Sequence, residues 1–191
     1  MSDHKPMHPI FRCKPYKELL SYQRAEMVYL ATVRFTERFL SKGDRTIDQM
    51  IQAARSGKQN IVEGAMASAA SKQTELFLTS VAFASLAELL EDYEDYLKTH
   101  NAPVWSKDSR EAVFVRKLCR KPGADYELYR EFIETRSAEV VANIIITLIH
   151  QTSFLLNRQI AALEEKFLQE GGVKEKMTAL RLAARQKKST D

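Results

Sequence analysis

Basic side chains supply most of the residues in this sequence that could do chemistry. Lys174, Lys176, Arg181, Arg185, Lys187 and Lys188 crowd one segment, and over 173–191 only Glu175 and Asp191 oppose them, so the local balance of +4 equals that of the whole chain. Such a density suits contacts to phosphates, where affinity comes from counterion release and carries little base preference. Arg38, Lys42 and Arg45 straddle one predicted turn, and Arg55 and Lys58 lie on the helix after it. They form a second phosphate-tracking candidate, with solvated surface as the competing reading. Asn60 and Glu63 flank the apolar Ile61 and Val62. A polar pair beside a buried stripe must find hydrogen-bond partners. The expectation is therefore a clamp between helices or at a helix end, with a direct ligand role as the alternative.

Other chemistry is not indicated. Di-iron helical bundles need Glu-x-x-His pairs, because residues three apart project toward one metal, and the sequence has none. It also lacks a phosphate-binding GxxxxGK loop, a GxGxxG turn, a GxSxG elbow and an HExxH helix. Of the four histidines, His4 and His8 lie near the start, His100 falls at a predicted helix end, and His150 on an apolar face reads as a hydrogen-bonded core histidine. Glu88 with Glu91, and Glu164 with Glu165, read as solvated helix faces. Cys13 and Cys119 are unpaired by spacing and are expected to be reduced, buried thiols. No catalytic residue, metal ligand set or cofactor is expected, and the chain reads as non-enzymatic.

The elements that position these residues are helical. With 191 residues, 45% hydrophobic and 28% charged, the chain suits one globular domain with an appendage. Pro6, Pro9 and Pro15 make 1–15 an extended arm. A first helix is predicted from Tyr16, its apolar residues recurring at threes and fours with Arg24, Arg34 and Arg38 between them, to a stop near Gly43. Asp44 is the N-cap of a second helix, in which Gly57 signals close packing. Gly64 and a run of small residues lead to Ser71, which caps a third helix ending near Thr99. Short helices are expected at 106–118 and 125–134 within an insertion over 101–136. A fourth long helix runs from about Ser137 to Gln169, with Val141, Ile145, Leu148, Phe154 and Leu155 facing inward, and a basic C-terminal helix occupies 171–191. The fold class is all-α: an up-down antiparallel four-helix bundle over 16–170. The broad apolar faces of the third and fourth helices predict a homo-oligomer. The first nine residues hold no apolar leader, and no stretch nears roughly 18 uninterrupted apolar residues. The expectation is a cytoplasmic chain with no membrane span.

The segment QMIQAARSGKQNIVEG, Gln49 to Gly64, followed by Ala82, Ser85, Leu86, Glu88 and Leu89, resembles the signature of the four-helix bundle family of 23S rRNA-intervening-sequence proteins. Gln49, Ile51, Ala54, Ser56, Asn60, Ile61, Glu63 and Gly64 carry the first part of that signature, and Asn60, Glu63 and Gly64 are read as its structural motif. The likeness covers the first three helices well and the fourth loosely, and departs at 101–136. Relatives in a longer branch include bacterial-type accessory proteins of diversity-generating retroelements. The resemblance implies a barrel-shaped pentamer that binds nucleic acid, RNA or DNA, and docks a partner enzyme such as a reverse transcriptase. Two readings follow: an oligomeric nucleic-acid binder using Lys/Arg, and a protein-binding adaptor.

Overall fold

A computed structural model describes residues 15–170 together with 178, 181 and 182, and the described chain is all-helical, with no strand. A single 3₁₀ turn, Tyr16–Glu18, leads from Pro15 into α1 (Leu20–Phe39). α1 ends before the predicted Gly43, because Leu40 is already extended; Gly43 instead takes the left-handed turn conformation, φ 95°, which costs a glycine little. Asp44 then caps α2 (Arg45–Ala67), its carboxylate accepting from the Thr46 N–H at 2.9 Å. That bond holds the carboxyl below its usual range. Ser71 caps α3 (Lys72–Thr99) in the same way through the Thr74 N–H. Three further helices follow: α4 (Arg110–Cys119), α5 (Glu127–Thr135) and α6 (Ala138–Glu170).

Small residues bring α2 and α3 together. A Cβ placed on Gly57 would lie 2.8 Å from Leu86 Cδ2, and one on Gly64 would lie 3.4 Å from Leu78 Cβ. The contacts 57 to 86 and 64 to 78 run in opposite directions along the two helices, so they are antiparallel. Between these notches Asn60 donates to the Ser56 carbonyl and hydroxyl at 2.9 and 3.1 Å, and Ser56 meets Ser85 of α3 at 2.9 Å. α1 packs on α2 and α6, and α3 packs on α2 and α6. Tyr93 of α3 crosses to α1, its hydroxyl donating to Thr32 at 3.1 Å and its ring edge-on to Phe35 at 5.0 Å.

Every residue of α6 from 141 to 149 is buried. A helix covered on one side only would expose about half of such a run. Here α1 and α3 cover one side and α4 packs on the other, which explains the unbroken Ile144-Ile145-Ile146 sequence. By length and composition the stretch Ala138–Gln169 is apolar enough to cross a membrane, with 61% of its most apolar window buried inside the molecule. The expectation that nothing here approaches span length is qualified to that extent. From His150 on the cover is one-sided: Thr152, Leu156 and Leu163 stay buried while the opposite face opens. Phe154, expected inside, is 61% exposed, and His150, expected in the core, is exposed too.

The insertion is held by the arginines that lie between the apolar residues of α1. Arg24 is 7% exposed and donates to the Cys119 and Ala124 carbonyls, the latter at 3.0 Å. Arg34 forks onto Glu134 at 2.7 and 2.8 Å and holds that carboxyl below its usual range. Arg38 donates to the Ile133 carbonyl and, at 3.4 Å, to that of Arg136. From the other side Asn143 of α6 accepts from the Trp105 N–H at 2.7 Å and donates to the Pro103 carbonyl at 3.0 Å.

Candidate anion-binding cleft

Between α6 and α4 with the turn after it, a cleft of about 860 Å³ opens, within the roughly 300–1,000 Å³ of small-ligand sites. One wall is a single stripe of α6, because Asn143, Thr147, His150, Gln151 and Phe154 recur at threes and fours. The facing wall is α4 with the turn after it, which Arg24 fastens to α1. Trp105, fixed through its backbone by Asn143, closes one end, and Leu20 of α1 adds an exposed apolar edge.

The cleft is basic. Lys107, Arg116, Arg120 and Lys121 line it together with the buried Arg24, against the single carboxylate of Asp108. Lys107, Arg120 and Lys121 are exposed and Arg116 is half-buried. Over 106–123 the sequence carries Lys107, Arg110, Arg116, Lys117, Arg120 and Lys121 against Asp108 and Glu111, a balance of +4. This density equals that of the C-terminal segment, and sequence reasoning missed it: once 173–191 had matched the net charge, the remainder, summing to zero, drew no attention. A window of about eighteen residues moved along the chain would have found it.

The cleft also holds an unmet acceptor. Gln151 Oε1 is buried and accepts no hydrogen bond, a rare condition for a polar atom removed from water. The thiol at the back of the cleft offers no nucleophile: burial pushes Cys119 above its ordinary range despite the opposing charge of Arg24. Among the described residues no three His, Cys, Asp or Glu side chains are grouped to hold a metal.

The residues singled out from sequence are scattered. Lys174, Lys176, Arg185, Lys187 and Lys188 lie outside the described residues, and Arg181 is helical and exposed. Arg38 is occupied by backbone carbonyls of the α5 end and stacks 4.4 Å from the Phe39 ring. Lys58 sits 4.4 Å over Tyr29, while Arg55 is exposed on the same helix. Asn60 bonds only within α2, to Ser56, and it is Ser56 rather than Asn60 or Glu63 that reaches α3 through Ser85. Glu63 is exposed, and Gly64 is a packing notch. Comparison of the chain with protein-family models, with curated proteins and with solved structures finds no match.

Proposed function

We propose that this chain is a non-enzymatic, cytoplasmic RNA- or DNA-binding protein of low sequence specificity. In this reading α1, α2, α3 and α6 make the up-down antiparallel four-helix bundle of the intervening-sequence family that it resembles. The ring of neighbours α1, α2, α3 and α6 supports that arrangement. One observation carries the functional reading: of six cations at 107–121, five of them exposed, Lys107, Arg116, Arg120 and Lys121 line a cleft whose α6 wall ends in an exposed aromatic ring. A polyanion brought there releases counterions and meets guanidinium and ammonium groups held by a fixed scaffold. In this reading Arg55, Lys58 and the basic residues of 173–191 are further candidate phosphate contacts.

The test is fluorescence anisotropy with labelled RNA and DNA strands at several salt concentrations. The double substitution Arg120→Gln/Lys121→Gln removes two phosphate partners without touching the core. It should weaken binding about tenfold and flatten the slope of log K against log salt by roughly 1.4 for a single strand. Unchanged affinity and slope would remove the cleft from the binding surface.

Self-association belongs to the same proposal. At the α2–α3 turn Phe77 is 64% and Met66 is 58% exposed, an apolar pair suited to a second copy. Leu90, by contrast, packs against the core, so a charge there would disturb folding before it reported on an interface. Phe77→Glu should reduce the mass measured by light scattering to that of a monomer; a variant with the parent's mass excludes this face. The adaptor reading, with a partner enzyme such as a reverse transcriptase, has one feature in its favour. This is an apolar groove of about 530 Å³ beside Phe114 and Phe132, with Phe114 48% exposed.

A further inference from the structure

We infer that the cleft between α4 and α6 takes an unpaired nucleotide of a single strand, with its base inside and its phosphates on the basic rim. The inference rests on the nucleic-acid reading and narrows it from any polyanion to an unstacked base.

Three features of the cleft converge on this. A groove that only followed a duplex backbone would need surface cations, yet this one is concave and places rings beside them: Trp105 at one end and Phe154 on the α6 wall. Phe154 is 61% exposed on a rigid helix, and the Arg158 guanidinium lies 5.9 Å from its ring centroid. An exposed ring flanked by cations is the arrangement on which unpaired bases stack, and it tolerates any sequence because every base has a π face. The second feature is the Gln151 amide, which lines the cleft and whose Oε1, buried from water, has no donor until the amide turns toward a ligand. Each base offers at least one N–H on its pairing edge, an amino group in adenine, cytosine and guanine or the ring N–H of uracil. In a duplex those groups are already engaged. An acceptor that any unpaired base can satisfy also fits low sequence specificity. The third is the rim, where Arg116, Arg120 and Lys121 stand on α4 and its following turn, opposite the ring. A base entering between the walls would leave its flanking phosphates beside them.

The experiment measures binding of the full chain to three 12-residue probes: a mixed-sequence single-stranded RNA, its duplex, and an abasic strand with the same phosphodiester backbone. The single strand should bind at least tenfold tighter than the abasic strand and tighter than the duplex. Phe154→Ala removes an exposed side chain and should fold normally. It should weaken single-strand binding about tenfold and leave the abasic strand unaffected, as should Gln151→Leu with a smaller, roughly fivefold loss. Binding that responds to salt and to Arg120→Gln/Lys121→Gln, but is equal for single and abasic strands and indifferent to Phe154→Ala, overturns this inference and keeps the nucleic-acid reading. No binding of any probe by the parent chain at low salt overturns both.

Discussion

Replacing Arg24 with methionine is expected to lower the stability of the protein by about 3 kcal/mol, the loss of two hydrogen bonds whose acceptors stay buried. The guanidinium is 7% exposed and reaches the carbonyls of Cys119 and Ala124, at either end of the turn between α4 and α5. Methionine fills much of the same volume, so the change removes the donors without opening a large cavity. Each orphaned buried carbonyl costs about 1–3 kcal/mol, offset in part because a buried charge is no longer desolvated. At this chain length the loss corresponds to a fall in Tm of roughly 6–12 °C. Arg24→Lys should recover only part of it, since one ammonium lacks the planar fork that spans two acceptors. Calorimetry of the three proteins decides the matter. A methionine variant within about 0.5 kcal/mol of the parent would mean that the turn is held by something other than Arg24.

The second large effect separates two glycines of one helix. A Cβ on Gly57 would fall 2.8 and 2.9 Å from Leu86 Cδ2 and Cγ, and Leu86 is fully buried with no free space to enter. Gly57→Leu should therefore force α2 and α3 apart and lower stability by about 3 kcal/mol, at the upper end of overpacking effects. Gly64 faces the same helix two turns later, but its nearest atoms would be 3.4, 3.4 and 3.6 Å from a Cβ, ordinary contact. Gly64→Ala should then gain about 0.5–1 kcal/mol, because alanine restricts the unfolded chain and favours the helix. Urea unfolding of both variants checks the signs. If both lose stability, the distance between α2 and α3 at Gly64 is tighter than the contacts imply.

Helix starts were legible in the sequence where a side-chain cap fixed them, whereas the glycine stop misplaced the end of α1, which comes at Phe39 rather than near Gly43. Asp44 and Ser71 cap as expected, and α3 ends at Thr99 as predicted. The periodicity of α6 also identified a long helix against the pull of three adjacent isoleucines. What periodicity could not tell was how much of that helix would be covered. Burial on all sides from 141 to 149, and exposure at His150 and Phe154 just after, depend on where α4 lies, and α4 is placed by contacts such as Arg24 with Cys119, nearly a hundred residues apart. For the same reason the sequence gives no sign that Arg24, Arg34 and Arg38 hold the insertion: an arginine between apolar helix residues has no assigned role until its acceptors are known. The cleft is invisible for a related reason. Its walls come from three separated stretches of chain, and its charge was hidden beside a second segment of equal balance.

That long-range construction also sets the order in which the cleft is assembled during synthesis. One wall needs Leu20 and Arg24 of α1, the other needs α4, and the stripe of α6 that completes the cleft is made last, up to Leu155. At about 5–20 residues per second, the interval between the first and last of these residues is on the order of 10 s. Throughout that time α4 presents its cations without the opposing ring and amide, and the carbonyls that Arg24 receives have no helix α6 behind them. A growing chain therefore carries the charge of the cleft well before its shape, which α6 completes.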